Sequence, residues 1–164
     1  DTVLMGPDSN LAAYVAKKTG KKVIPIPQRG FCPTHILFQP EDVLALKMQH
    51  PNAVVMAHPE CTVEMQQVSD FIGSTSKMCR YAKESKAKEF IVGTEEGILH
   101  RLQKENPDKK FYVAYDRAVC PNMKLTTLEK VYNALKEEKN VVEVPEAVAK
   151  KAKSSLERMF KVKS

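Results

Sequence analysis

The chain has 164 residues, room for one full domain or one and a half small ones. With 43% hydrophobic and 28% charged residues it has the composition of an ordinary soluble globular protein, and no window approaches the roughly 20 consecutive apolar residues of a membrane span, so no membrane partner is expected. The net charge of +6 admits an anionic partner such as nucleic acid or phosphorylated metabolites. The lysines, however, are scattered over helix faces without interleaved aromatic residues, so the expectation is a solvated basic surface and no nucleic acid.

The opening Asp1-Thr2-Val3-Leu4-Met5-Gly6 has no basic segment ahead of a long apolar one. It is expected to be a cut into a folded chain rather than a signal peptide. Val3–Met5 reads as a strand, and Asn10 opens a helix through Tyr14 and Val15 that Gly20 stops. Val23–Ile26 is the next strand, followed by a loop carrying Gly30-Phe31-Cys32-Pro33-Thr34-His35. A helix is expected from Glu41 to Gln49 with Val43, Leu44, Ala45 and Leu46 on its apolar side. Ala53–Ala57 is a buried type of strand ending at His58-Pro59-Glu60-Cys61. Helical stretches follow near Thr62–Ser69 and Ser76–Ser85, separated by Gly73-Ser74-Thr75.

The pattern then repeats: strand Glu89–Val92, helix Glu96–Glu105 with Ile98, Leu99 and Leu102, and strand Phe111–Ala114. Cys120-Pro121-Asn122-Met123 leads to a helix over Leu128–Lys136 and a short final strand over Val141–Val144. From Lys150 to Lys163 a basic stretch carries Val148, Ala152, Leu156, Met159 and Phe160 at helical spacing, an amphipathic helix packing on a body. Strands alternating with helices predict an α/β fold whose mostly parallel sheet is covered on both faces. Ligands bind such sheets beyond the carboxyl ends of strands. The loops at Cys32, His58, Thr94 and Asp116 all follow expected strands, so they can converge on one edge.

Four loops carry residues capable of chemistry. Cys32 and His35, three apart, suit a metal or a nucleophile–base pair, against the plain alternative of a buried thiol. His58 and Glu60 suit substrate orientation or proton exchange, against a hydrogen-bonded loop histidine beside an exposed glutamate. Ser74 and Thr75 are first of all a helix cap, and the same backbone N–H groups can also receive a phosphate or carboxylate. Cys120-Pro121 has the Cys-Pro step common at iron–sulfur ligands, against a turn with an incidental cysteine. Cys61 and Cys79 read as inert, and His50 and His100 as surface residues. No glycine-rich nucleotide loop, phosphate loop or His-Glu-x-x-His occurs, and the cysteines do not cluster as in a ferredoxin. A chain of this size needs no disulfides, so reduced thiols or metal ligands in the cytoplasm are expected.

Taken in order, Gly6-Pro7-Asp8 with Asn10-Leu11, Gly30-x-Cys32-x-x-His35, His58-Pro59-Glu60, Gly73-Ser74-Thr75-Ser76, Gly93-Thr94-Glu95 and Cys120-x-Asn122-Met123-Lys124 leading to Leu128-Glu129 resemble the quinolinate synthase (NadA) family. The resemblance implies repeated three-layer αβα domains with short, mostly parallel sheets around a pseudo-threefold axis. Residues 1–35 would be the C-terminal part of the middle domain and 36–125 the third domain. Residues 126–164 would be helices packing back on the body. It implies condensation of iminoaspartate with dihydroxyacetone phosphate to quinolinate in NAD biosynthesis, with a [4Fe–4S] cluster acting as a Lewis acid. Cys32 and Cys120 match two of the three cluster ligands. His58 and Glu60 match the substrate-binding and acid–base pair with Pro59 between them. Ser74 and Thr75 match anion ligands, and His35 a contact to the bound intermediate. The chain is about half of a family member, so the third ligand must come from a missing N-terminal half or a second chain. The competing reading is a structural module in which Cys32, Cys120 and a histidine hold zinc.

Overall fold

Apolar stretches become strands and amphipathic ones helices largely in the expected order, in a computed structural model that describes residues 2–161. Asp1, Lys163 and the side chain of Met159, which figure in the readings of the two termini, lie outside what is described. Two units form, Asp1–Pro121 and Asn122–Ser164.

In the first unit β1 (Thr2–Met5) pairs in parallel with β2 (Lys22–Pro25), joined by α1 (Ser9–Thr19). The cap of α1 is Asp8 rather than Asn10: its carboxylate accepts the Leu11 N–H, and Gly20 ends the helix at a left-handed φ of 67°. Leu4 and Ile24, paired on this small sheet, are exposed. A 3-10 turn at His35–Leu37 leads to α2 (Pro40–Gln49), β3 (Val54–Ala57), α3 (Val63–Gln67), β4 (Phe71–Ile72) and α4 (Thr75–Glu84). β5 (Glu89–Gly93), α5 (Ile98–Glu105) and β6 (Lys110–Val113) follow. The four later strands form one all-parallel sheet in the order β4-β3-β5-β6.

Side chains alternate across this sheet, as the pleat requires. Val55, Ala57 and Ile91 pack on one face with Phe38, Val43 and Met65. Met56, Phe90 and Val92 pack on the other with Met78, Ala82 and Leu102. Each fully buried Phe or Ile contributes about 1.5–3 kcal/mol of apolar burial. The result is the expected α/β architecture with short parallel sheets and helices on both faces. The chain runs outward from β3 to β4, then crosses back to β5 and β6, so the sheet reverses direction between β3 and β5. That is the position at which open α/β sheets hold ligands.

Four details differ from the expectations. Phe71–Ile72 is a strand, too short for a periodic signal; the Asp70 carboxylate accepts the Val55 N–H at 2.8 Å where a longer strand would supply a backbone rung. On α2 only Val43 is buried while Leu44 and Ala45 face water, because the helix touches the sheet along a narrow line. Pro121–Lys124 forms a single helical turn, α6, in place of a loop. Val141–Val144 is not a strand: among the described residues of the second unit there is no strand to pair with it.

The second unit contains α7 (Leu128–Glu137), capped by Thr127 accepting the Lys130 N–H, and α8 (Glu146–Met159). No helix of the described residues is long and apolar enough to cross a membrane.

Candidate active site

His58 begins the loop after β3, and Thr94 the loop after β5, on either side of the reversal point. The register Ala57 opposite Gly93 makes them neighbours, and the His58 N–H donates to the Gly93 carbonyl at 3.0 Å. On the other side Ala57 lies opposite Ile72, and the Gly73 N–H donates to the Ala57 carbonyl at 3.1 Å, which brings the Ser74 loop to the same edge.

His35 enters this edge from the 3-10 turn and is held at both ring nitrogens. Nδ1 lies 3.0 Å from Glu60 Oε2, and Nε2 lies 2.9 Å from Thr94 Oγ1. A carboxylate only accepts, so Nδ1 carries the proton and Nε2 accepts from the threonine hydroxyl. His58 stacks on His35 with ring centroids 4.3 Å apart and planes at 12°. The Glu60 N–H donates to His58 Nδ1 at 3.3 Å, which leaves the His58 proton on Nε2. Asn10 Nδ2 donates to the Glu60 carbonyl at 3.2 Å and fixes the loop from the side of α1.

Burial lowers the pKa of His35, with Asp8 and Glu95 pulling the other way. For His58 burial acts first and the adjacent His35 second, against Glu60 and Asp8, and its pKa falls to about 4. Two neutral imidazoles can stack where two imidazolium ions would repel. At neutral pH the pair therefore offers one N–H donor, His58 Nε2, beside one carboxylate, Glu60.

Cys32 stands at the mouth of a cleft of about 430 Å³, lined by Pro7, Asp8, Pro27, Gly30, Phe31 and Glu60. That volume is in the range of small-molecule sites. The Cys32 thiol, His35 and Glu60 bring donor atoms within 4.8 Å of one another. Gly30 closes a turn, its N–H donating to the Pro27 carbonyl at 3.1 Å, and it also permits a close approach, since a Cβ there would lie 1.9 Å from the Pro7 carbonyl oxygen. Cys120 joins through a hydrogen bond: its N–H donates to Glu95 Oε1 at 3.3 Å, and Glu95 follows the Thr94 that holds His35.

Ser74 caps α4 by accepting the Lys77 N–H at 3.4 Å, and both Ser74 and Thr75 are exposed. Asp8, Thr94 and Glu95, all buried, were not singled out as site residues from the sequence. The signals available were their positions just beyond strand ends and within the Gly6-Pro7-Asp8 and Gly93-Thr94-Glu95 motifs, neither of which assigns a role.

The thiols divide into two kinds. None of the four cysteines forms a disulfide; Cys32 and Cys120 are partly exposed, Cys61 and Cys79 buried. Cys61 donates its S–H to the Gly93 carbonyl at 3.3 Å, and burial pushes its thiol up to about 12, far from a ligand thiolate. Cys79 is packed among apolar side chains beneath α4. Cys32 and Cys120, the two partly exposed thiols, are therefore the cysteines that could serve as metal ligands, and Cys32 has His35 and Glu60 beside it.

The profile of the family described as NadA, quinolinate synthetase A protein, matches residues 1–161. The chain is 47% identical to the quinolinate synthase of Thermodesulfovibrio yellowstonii over 97% of its length and 52% of the relative's. It is 50% identical to that of Methanosarcina barkeri and 48% identical to that of Pyrococcus horikoshii, in each case over 99% of this chain and 53% of the relative. The chain thus spans about half the length of the curated relatives it matches. A match over nearly every residue shows that the chain belongs to the quinolinate synthetase A family.

Proposed function

We propose that this chain is the cluster-bearing C-terminal part of a quinolinate synthase, which condenses iminoaspartate with dihydroxyacetone phosphate to quinolinate in NAD biosynthesis. The observation that carries the reading is the convergence of His35, His58 and Glu60 at the sheet's reversal point, beside Cys32 and linked to Cys120 through Glu95.

Cys32 and Cys120 would hold a [4Fe–4S] cluster, with the third thiolate from a missing N-terminal half or a second chain. When bound, such a cluster supplies an iron with an open position that polarises a hydroxyl or carboxylate oxygen. Both substrates are anions. The exposed N-terminus of α4 offers its first N–H groups, and Ser74 and Thr75 their hydroxyls, to a carboxylate or phosphate. His58 Nε2–H donates to a substrate oxygen. Glu60 takes a substrate proton and returns it, its carboxylate held in place by His35 Nδ1. His35 also faces the bound intermediate, and buried Pro59 fixes the His58–Glu60 spacing. The division at 1–35, 36–125 and 126–164 belongs to the same proposal. Four thiols without a disulfide suit a reducing compartment, the cytoplasm.

A second reading has one observation in its favour: the closeness of the Cys32, His35 and Glu60 donors suits a structural zinc ion, with Cys120 as a further ligand. Against it, both nitrogens of His35 are already engaged. Iron, acid-labile sulfide and zinc measured anaerobically, on the chain alone and with an N-terminal half supplied, separate the two. About four irons per complex, lost in Cys32→Ser or Cys120→Ser, is the expected result. Zinc or no metal in both preparations overturns the cluster reading.

A further inference from the structure

Cys32 and Cys120 are held by one construction used twice. β1 leads to Asp8, α1, β2 and Cys32; β5 leads to Glu95, α5, β6 and Cys120. Each carboxylate is buried, Asp8 to 3% exposure and Glu95 to 7%. Each divides its two oxygens in the same way. Asp8 Oδ1 accepts the Leu11 N–H in the first turn of α1 at 2.8 Å, and Oδ2 accepts the Cys32 N–H at 2.8 Å. Glu95 Oε2 accepts the N–H of Gly97, the cap of α5, at 2.7 Å, and Oε1 accepts the Cys120 N–H at 3.3 Å. The carboxylate and its cysteine are 24 residues apart in one case and 25 in the other. The loop after β3 also carries a carboxylate, Glu60, but this one accepts from the His35 ring and from no cysteine N–H among the described residues.

We propose that Asp8 and Glu95 are paired positioning residues: each anchors its cysteine's backbone N–H and sets a negative charge beside the ligand. The inference rests on the cluster reading above. Hydrogen bonds to cluster sulfurs and the net charge around them set the reduction potential. A carboxylate bonded to a ligand's N–H adds negative charge beside the cluster and makes it harder to reduce. The two anchors thus hold the cluster in its oxidised state, which suits a Lewis acid that passes no electrons. They also fix the direction from which each thiolate reaches the iron.

The test uses the protein with its N-terminal half supplied, reconstituted anaerobically, with Asp8→Asn, Glu95→Gln and the charge-keeping Asp8→Glu and Glu95→Asp. Iron and sulfide are counted first. The midpoint potential is then read by redox titration followed by electron paramagnetic resonance. Neutralising either carboxylate is expected to raise the potential, with about a tenfold or greater gain in the equilibrium constant for one-electron reduction. The charge-keeping variants are expected to return toward the wild-type value, and a purely structural role does not produce that pattern. If Asp8→Asn fails to fold because its single amide oxygen cannot replace both acceptors at Leu11 and Cys32, Glu95→Gln carries the test. Assembled clusters with unmoved potentials overturn this inference alone. Wild-type protein without iron and sulfide overturns the cluster reading itself, and this inference with it.

Discussion

Replacing Thr94 by valine removes one oxygen and almost no volume. Thr94 is 2% exposed, and its hydroxyl is the partner of His35 Nε2 at 2.9 Å. Without it the ring keeps its bond to Glu60 but buries a nitrogen lone pair with no donor. Leaving one buried polar atom unsatisfied costs about 1–3 kcal/mol, more than the net worth of a neutral hydrogen bond. With a urea slope near 2 kcal/mol/M, a loss of about 2 kcal/mol lowers the unfolding midpoint by about 1 M. Thr94→Ser, which keeps the oxygen, should lose only the methyl contact, about 1 kcal/mol. The double change His35→Leu with Thr94→Val should cost less than the sum of the singles, since no polar atom of the pair remains to be satisfied. Urea unfolding followed by circular dichroism measures all four. A Thr94→Val variant within about 0.5 kcal/mol of wild type, or strictly additive singles, refutes the buried His35–Thr94 bond.

Alkylation by iodoacetamide at pH 8, mapped by mass spectrometry on the metal-free chain, should mark Cys32 and Cys120, and should spare Cys61 and Cys79 until denaturant is added. Early labelling of Cys61 would contradict its burial and a thiol pushed up to about 12. His58 should give stability a pH dependence. Its folded pKa of about 4 lies below the ordinary 6.5, so the unfolded chain binds the proton first; the contribution is whole above pH 6.5 and is lost as pH falls toward 4. The full loss is about 2–3 kcal/mol, and His58→Gln should flatten the curve between those values in a pH series of urea unfolding. Gly30→Ala forces a methyl to 1.9 Å from the Pro7 carbonyl oxygen, so thermal unfolding should show a destabilisation of about 3 kcal/mol or more.

The alternation of strands and helices was legible because buried parallel strands such as Ala53–Ala57 and Glu89–Val92 are continuous apolar runs that little else explains. The loops at Cys32, His58 and Thr94 were legible as a shared edge because strand ends in parallel sheets point one way. Phe71–Ile72 was not, since two residues carry no period. Val141–Val144 looked like a strand because β-branched residues favour that conformation, yet a strand needs a neighbour, which composition does not reveal. Asp8 and Glu95 were hidden for a different reason. A carboxylate that accepts a backbone N–H some 24 residues away leaves no local spacing to read, and Asp8 differs from Glu95 in residue type. The stacking of His58 on His35 likewise joins residues far apart in sequence and depends wholly on the fold.

The small β1–β2 sheet has a consequence for the chain as a material. Both of its strands are edges among the described residues, and Leu4 and Ile24, opposite each other, stand 65% and 40% exposed along them. An open edge beside exposed apolar side chains is a template on which another strand can be laid. Prepared without a covering chain, this polypeptide should self-associate as its concentration rises, by pairing strands edge to edge. A short edge-blocking change such as Leu4→Lys should keep it dispersed without touching the histidine pair.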